Sequence, residues 1–178
     1  MRKVILYIAM SLDGYISREN DAIDFLGGQT NIEVDYGFDA FLDSVDTLIM
    51  GSKTYKEITE KISIAIWLYP NKEVFVFSNQ FVGRTEHVKF VQGDLLDFVE
   101  KLKHQSGKDI WIIGGRGVID PLIKHNAIDR YVITVMPILI GSGKKLFTEF
   151  ESDILLKHVD TKEYDGMVML TYEKRDPQ

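Results

Sequence analysis

Two short glycine-containing segments carry the residues best suited to bind an anionic ligand. The first, Ile113-Gly114-Gly115-Arg116-Gly117-Val118, follows a predicted strand and precedes a predicted helix. Glycines at such a junction let the backbone amides of a helix N-terminus approach a phosphate. The segment is neither a Gly-x-Gly-x-x-Gly fingerprint nor a P-loop, and its glycines are equally compatible with a tight turn that binds nothing.

The second segment, Gly51-Ser52-Lys53-Thr54, also joins the end of a predicted strand to the start of a helix. It offers two hydroxyls and one cation close to exposed amides, although serine and threonine are ordinary helix caps as well. Ligands of open α/β sheets collect at the carboxyl ends of parallel strands, where both segments would lie. Together the two segments predict a site for an elongated cofactor that carries two phosphates.

Two acids and one aromatic residue are candidates for contacting a substrate. Asp35 starts the first predicted helix, where it could handle a proton, although an acid is also favoured there by the helix dipole. Asp13 could contact the substrate or serve as a turn residue beside Gly14. Phe38 could hold a flat ring or form part of the core.

The composition excludes several classes of function. The 178 residues include no cysteine, which excludes a disulfide framework, a thiolate zinc site, an iron-sulfur cluster and a cysteine nucleophile. The four histidines are scattered, so no metal site is predicted. With 27 acidic against 21 basic residues, the chain is a poor match for nucleic acid. The apolar run over residues 4–10 is too short for a signal or membrane segment, so a cytoplasmic protein is expected.

The pattern of apolar residues predicts an α/β fold that brings both glycine segments to one sheet edge. Predicted strands cover residues 4–10, 47–50, 73–77, 88–91, 110–113, 130–135, 155–163 and 167–173. Predicted helices cover residues 32–42, 52–60, 95–104 and 118–125, with a long loop over 11–31 and a Gly-rich turn over 137–145. This order predicts a mostly parallel central sheet with flanking helices and an antiparallel C-terminal edge. One domain over residues 1–178 is expected.

Four motifs occur in the order seen in dihydrofolate reductase-like proteins. They are Ser11-Leu12-Asp13-Gly14-Tyr15-Ile16, Ile49-Met50-Gly51-Ser52-Lys53-Thr54-Tyr55, Ile112-Ile113-Gly114-Gly115 and Met136-Pro137-Ile138-Leu139-Ile140-Gly141-Ser142-Gly143. Over about residues 3 to 173 the chain resembles the branch that contains the reductase domain of bifunctional riboflavin-biosynthesis deaminase/reductases. The last motif, followed by Leu146-Phe147, favours that branch over true dihydrofolate reductases.

The resemblance implies NADPH as cofactor and assigns roles to residues at matching positions. The implied cofactor contacts are Ala9, Gly51, Ser52, Lys53, Thr54, Ser78, Asn79, Ile113, Gly114, Gly115, Arg116, Gly117 and Val118. Among them, Ser78 and Asn79 match the place where the family holds the adenosine 2′-phosphate. Asp35 matches the acid of dihydrofolate reductases, and Thr134 resembles the hydroxyl that orients this acid. Asp13 and Phe38 are the implied substrate contacts.

The sequence also departs from the folate enzymes. No Trp-Pro loop occurs between Gly14 and Asp35, and Lys72 stands where those enzymes place an arginine for the glutamate tail of folate. Lysine is a point charge without the bidentate fork that suits a carboxylate, so folate is not the expected substrate. No deaminase domain precedes residue 1, so a complete bifunctional riboflavin enzyme is not expected either.

The sequence therefore predicts an NADPH-dependent reductase that acts on a small pteridine-like or pyrimidine-like substrate by hydride transfer from nicotinamide. The alternative is a non-catalytic NADP(H)-binding module or sensor. NADPH is expected to bind more tightly than NADH, since Lys53, Ser78, Asn79 and Arg116 offer positive charge and donors for a 2′-phosphate. A homodimer is expected from the resemblance and from the apolar residues 136–140, which could lie in an interface.

Overall fold

The computed structural model describes residues 1–27, 35–62 and 67–175. The strands are β1 (Val4–Ser11), β2 (Tyr15–Ser17), β3 (Val45–Gly51), β4 (Glu73–Phe77), β5 (Gly83–Arg84), β6 (Lys89–Val91), β7 (Asp109–Gly114), β8 (Arg130–Met136), β9 (Lys144–Lys145), β10 (Leu156–Tyr164) and β11 (Met167–Lys174). The helices are α1 (Asp24–Gly27), α2 (Phe38–Ser44), α3 (Ser52–Glu57), α4 (Leu95–Lys103) and α5 (Arg116–Lys124), and a π turn (Ile58–Ile62) continues α3. None of the described helices is long and apolar enough to cross a membrane.

The described strands form one large sheet in the order β10-β11-β8-β1-β7-β3-β4-β6-β5, and a small second sheet pairs β2 with β9. The central strands from β8 to β6 are parallel. By contrast, β11 runs antiparallel to β8 and β10 runs antiparallel to β11. The predicted mostly parallel sheet with an antiparallel C-terminal edge is therefore confirmed.

The central strands contain continuous apolar runs because helices cover both faces of the sheet. In β1, Leu6 packs into a cluster with Ile119 and Leu122 of α5. Its neighbour Ile5 points to the opposite face and packs with Ile58 and Trp111 in the cluster that α2 and α3 cover. Burial on both faces explains a continuous apolar run instead of a strict alternation. The helices cover the faces and leave the carboxyl edge of the sheet open.

The region between β1 and β3 differs from the sequence prediction. The predicted loop over residues 11–31 contains β2 and the short helix α1. The predicted helix over 32–42 starts only at Phe38, and residues 28–34 lie outside the described part of the chain. Tyr36 and Gly37 have φ angles of 53° and 81°, which a right-handed helix cannot contain. The helix therefore begins directly after them.

The apolar segment Met136–Ile140 also needs a correction. Met136 is only 2% exposed and packs with Phe25 and Met167 in the core. Ile138 and Ile140 are half-buried against the same cluster, whereas Leu139 is 69% exposed. Most apolar side chains of this segment pack inside the molecule. Leu139 is therefore its main apolar side chain that another subunit could contact.

A cluster of three charged residues links β11 to β8 and to the residue that precedes β1. Glu173 of β11 accepts hydrogen bonds from Lys3 at 2.7 Å and from Arg130 at 2.6 Å. The hydrogen bond from Lys3 is the largest cause, followed by that from Arg130, of a lowering of the pKa of Glu173 to about 2. Since the two cations favour the carboxylate, the folded protein holds this group ionised well below its usual pKa.

Glu173→Gln is expected to lower the free energy of unfolding at pH 7 by about 1 kcal/mol, a modest value because the pair is partly exposed. A lowered carboxylate pKa stabilises the fold above the unfolded pKa, and that contribution is lost as the pH falls through about 2. The deficit of the variant should therefore shrink in urea titrations between pH 5 and pH 2. Glu163→Gln, at an exposed position of β10, is the control; an equal deficit in both variants would contradict the assignment.

Candidate cofactor and active site

A cavity of about 920 Å³ opens at the carboxyl ends of five neighbouring strands. Its lining runs from Ile8 and Ala9 on β1, through the ends of β7, β3 and β4, to Gln92 and Gly93 after β6. Four inter-strand spacings of roughly 4.8 Å make this edge about 19 Å long. The cavity therefore suits an elongated ligand that lies across the strand ends.

Every residue that the resemblance assigned to the cofactor lines this cavity. They are Ala9, Gly51, Ser52, Lys53, Thr54, Ser78, Asn79, Ile113, Gly114, Gly115, Arg116, Gly117 and Val118. Residues that bind the same ligand must line the same cavity, and these residues meet that requirement. The binding role of these residues stays a prediction.

The two glycine segments pack directly against each other. Gly115 has a φ of 71°, and a Cβ atom built on it would lie 3.1 Å from Thr54 Oγ1 and 3.8 Å from the Gly51 Cα. On the other side, a Cβ on Gly51 would lie 3.7 Å from Val118 Cγ2. A residue with a side chain at position 115 would be strained and would press on the neighbouring turn. The two turns thus form one backbone cradle.

The helix that leaves this cradle has an N-terminus without a side-chain cap. At the start of α5, the cap residue is Gly115, and its carbonyl accepts from the amides of Val118 and Ile119. In α4, by contrast, the Asp94 side chain accepts from the Asp97 amide at 2.9 Å. The uncapped start of α5 faces the cavity, where its free amides and the helix dipole favour an anion.

Ion pairs decide which cavity cations remain available. Arg116 lies 2.9 Å from Asp120, one turn later in α5, and Lys144 is paired with Asp21. Lys53 is exposed, and among the described cations that line the cavity it alone has no ion-pair partner. An anionic ligand would therefore find its least compensated positive charge at Lys53.

Ser78 and Asn79 stand at the far end of the cavity, after β4. Ser78 is buried, and its Oγ accepts from the amides of Gln80 and Phe81, both at 3.1 Å. These bonds fix the turn and leave the hydroxyl proton able to donate to a ligand. Asn79 is exposed beside it.

Asp35 lies just before α2 instead of on it. Its carboxylate accepts from the Gly37 amide at 3.0 Å and from the Asp39 amide at 2.8 Å. Asp39 is in the first turn of α2, so the Asp35 carboxylate lies at the helix start, where the simpler interpretation was an acid favoured by the helix dipole. It does not belong to the lining of the large cavity in the described residues.

The surroundings of Asp35 include Tyr7 of β1. Burial, together with the charges of Asp35 and Tyr164, raises the pKa of Tyr7 to about 12. Thr134 of β8 is the register partner of Ala9 of β1, the strand that also carries Tyr7. In the described part of the chain the Asp35 carboxylate is engaged by the Gly37 and Asp39 amides. The orienting role of Thr134 stays a prediction.

The predicted substrate contacts Asp13 and Phe38 lie in the framework of the fold. Asp13 accepts from Ser11 Oγ at 2.6 Å and from the amides of Ile140 and Gly141. These hydrogen bonds, that from Ser11 above all, lower the pKa of Asp13. Phe38 packs with its ring centroid 5.6 Å from that of Trp111. Neither residue lines the cavity.

Lys72 has a structural partner that the sequence did not indicate. Its Nζ donates to the carbonyls of Leu42 and Val45, at 2.7 Å and 2.8 Å. These carbonyls end α2 and begin β3, where a cation also interacts favourably with the helix dipole. Lys72 therefore closes the end of a helix and is engaged away from the cavity.

Several cavity residues were missed by sequence reasoning. They are chiefly Asp21, Glu57, Ile58, Ile62, Tyr69 and Lys144. The helical spacing of three and four residues from Thr54 through Glu57 and Ile58 to Ile62 is a signal that could have found three of them. The remaining three reach the cavity through tertiary packing, for which the sequence has no local signal.

Comparisons with known proteins agree with this architecture. The family model of the RibD C-terminal domain matches residues 2–170. The uncharacterized protein YwjB of Bacillus subtilis strain 168 is 37% identical over 172 residues, which cover 96% of this chain and 97% of YwjB. The crystal structure of a putative riboflavin biosynthesis protein from Shewanella sp. PV-4 has a TM-score of 0.85 at 32% identity, with 98% and 99% of the two chains covered.

A more distant structure confirms the fold class. Dihydrofolate reductase from Enterococcus faecalis, solved in complex with NADP(H) and RAB-propyl, has a TM-score of 0.69 at 18% identity over 98% of this chain and 97% of that one. The dihydrofolate reductase-like fold expected from the four ordered motifs is thus confirmed. Given this fold and a family model that matches nearly the whole sequence, the chain belongs to the RibD C-terminal domain family.

Proposed function

We propose that the protein is an NADPH-dependent reductase that transfers a hydride to a small pteridine-like or pyrimidine-like substrate. The observation that carries this proposal is the meeting of both glycine turns, the uncapped start of α5 and the unpaired Lys53 in one elongated cavity. Membership of the RibD C-terminal domain family supports it, as does the likeness to a dihydrofolate reductase solved with NADP(H).

The residues present fit a dinucleotide. The cradle disfavours a side chain at Gly115, because its φ of 71° strains other residues and a Cβ there would lie 3.1 Å from Thr54 Oγ1. The cradle amides and Lys53 would hold the pyrophosphate, and Ser78 and Asn79 would hold the adenosine phosphate. When bound, NADPH would supply the hydride.

The chain's own contribution to the reaction is to orient the substrate, exclude water and handle one proton. Ala9, Ile113 and Leu26 give the β1 end of the cavity an apolar lining that suits a flat ring. Asp35, on the side of the sheet covered by α2, would deliver a proton to the substrate heteroatom directly or through water. Thr134 is proposed to assist it from β8.

A substrate screen tests the proposal. Oxidation of NADPH is followed by absorbance in the presence of pterins, folates and ribitylaminopyrimidines. We expect oxidation with a pterin or pyrimidine that lacks the glutamate tail. Tight NADPH binding without oxidation by any of these compounds would favour the non-catalytic binding module.

Lys53→Met is expected to weaken NADPH binding by at least about tenfold, because the variant removes the cavity's unpaired cation beside a phosphate. Lys53 would hold the pyrophosphate, which both cofactors carry, so the affinity for NADH should fall by a similar factor and the preference for NADPH should remain. Calorimetry with both cofactors gives the two affinities. Lys56→Met is the control, since Lys56 is exposed on the same helix and lies over the Phe81 ring outside the cavity; an equal loss in this variant would contradict the role of Lys53.

We also propose that the protein is a homodimer, with a surface other than residues 136–140 at its interface. Outside that segment, large apolar side chains are exposed at Phe147, Phe150 and Leu155. Such residues favour association when they are covered together. Light scattering at micromolar concentration should give twice the mass of one chain, and the mass of a single chain would refute the dimer.

A further inference from the structure

The last strand of the large sheet, β10, has a free outer edge. It lies at one end of the strand order and, among the described strands, pairs only with β11. With nine residues it is the longest described strand, and residues 157–163 are all exposed. Such an edge presents backbone amides and carbonyls that can pair with another chain.

The opposite end of the sheet offers no comparable edge. It is formed by β5, which has two residues. Very short edge strands limit pairing with other chains. Of the two ends of the described sheet, β10 is therefore the one suited to bind a further strand.

The charges on β10 restrict which strand can bind. Asp160 and Lys162 flank Thr161, and their charged groups lie 3.8 Å apart with both side chains about half exposed. Charged side chains on an edge usually prevent association. Only a strand whose charges are complementary at the facing positions can therefore pair here.

A second copy of β10 meets this condition in one register. Two copies related by a two-fold axis pair antiparallel, so the residue on the axis faces itself. With Asp160 or Lys162 on the axis, like charges would face each other and destabilise the pairing. With Thr161 on the axis, Asp160 faces Lys162 of the partner subunit, and the same pair recurs on the other side of the axis.

The axis cannot lie between two residues, because facing residues of one continuous sheet point to the same side of it. The register shift between His158 and Asp160 bends the strand next to this central segment and limits regular pairing to the residues around Thr161. Leu155 and Val159, which are 62% and 48% exposed, lie toward the ends of the pairing and add apolar area.

We infer that β10 binds β10 of a second copy of this chain, antiparallel about Thr161, so that two nine-stranded sheets join into one. The inference rests on the proposed homodimer and assigns its interface. In this interface, Asp160 and Lys162 of each subunit select both the partner and the register.

The first test reverses the two charges. Asp160→Lys alone makes lysines face lysines, and Lys162→Asp alone makes acids face acids, so each should raise the Kd of the dimer at least about tenfold in analytical ultracentrifugation. The double variant Asp160→Lys/Lys162→Asp restores both opposite-charge pairs and should return the Kd to within about threefold of the parent value. Melting temperatures check that all variants are folded.

The matched control is Glu163→Lys, which changes the charge by the same amount on the same strand. In the inferred register Glu163 faces Val159 of the partner subunit, so the Kd should stay unchanged. With Asp160 on the axis, Glu163 would instead face Lys157 of the partner subunit, and the same variant would weaken the dimer. The control therefore also tests the register.

The second test uses the absence of cysteine from the chain. In Thr161→Cys the two thiols meet on the axis and should form a disulfide under mild oxidation, seen as a covalent dimer on a non-reducing gel. In Glu163→Cys the two thiols would lie at least about 13 Å apart along the strands, so no covalent dimer is expected.

The inference is overturned if either single reversal leaves the Kd unchanged, if the double variant does not recover, or if Glu163→Cys cross-links as readily as Thr161→Cys. A dimer with any of these results would refute the β10 interface and leave the homodimer proposal standing. A parent protein with the mass of one chain would refute both. The reductase proposal has a separate readout, the oxidation of NADPH.

Discussion

Asp35→Asn is expected to lower turnover by roughly 10²- to 10⁴-fold, the usual contribution of a general acid, while NADPH affinity stays nearly unchanged. Asparagine keeps an oxygen that can accept from one of the Gly37 and Asp39 amides, but it carries no titratable proton. The rate of NADPH oxidation and the melting temperature are measured beside the parent protein. The loss of turnover should shrink at low pH if solvent delivers the proton instead.

The control for this experiment is Asp39→Asn. Asp39 is an exposed acid in the first turn of the same helix, so its charge interacts with the same dipole. If Asp35 is only a helix cap, its variant loses about 1 kcal/mol of stability and keeps its turnover. That outcome would remove Asp35 from the chemistry and favour the non-catalytic NADP(H)-binding module.

Gly115→Ala should weaken NADPH binding by about 100-fold. The backbone at this residue has a φ of 71°, which costs a residue with a Cβ on the order of 1–3 kcal/mol. The added Cβ would also lie 3.1 Å from Thr54 Oγ1, so the Thr54 side chain or its turn must shift by a few tenths of an ångström within the cradle. Calorimetry with NADPH and a thermal melt separate loss of binding from loss of stability.

A second glycine provides the matched control. Gly83, on β5, has a φ of 101°, and a Cβ there would meet nothing within 4 Å. Gly83→Ala therefore carries backbone strain at a residue that does not line the cavity. It should lower the melting temperature and leave NADPH affinity as it is. Equal affinities in the two variants would show that the cradle does not hold the cofactor.

The central strands could be predicted from sequence because their signal is local. The apolar run in β1 and the spacing of apolar residues in α4 each reflect burial of neighbouring residues. The small β2–β9 sheet has no such signal, since its strands have three and two residues. It depends on a contact between residues far apart in the sequence, Ser17 and Gly143. A Cβ atom on Gly143 would overlap the Ser17 carbonyl oxygen.

The residues of the candidate site also differ in how well the sequence predicts their role. The glycine turns carry a recognisable pattern because their backbone geometry excludes other residues, as at Gly115. Asp13 carries an equally recognisable motif, yet its carboxylate is engaged by Ser11 and two loop amides. One recognisable motif thus belongs to the backbone cradle that lines the cavity, and the other belongs to a structural contact between two loops. Glu57 has no motif, because it reaches the cavity only through the winding of α3.

The β2–β9 pairing also has a consequence for how the protein matures. Ser17 pairs with Lys144 and both line the cavity, so one side of the cavity joins residues separated by more than a hundred positions. Closing a chain segment of this length costs conformational entropy, and only contacts that form later offset this cost. During synthesis this side of the cavity forms only after β9 has left the ribosome. Any ligand held there stabilises the finished fold and none of its precursors.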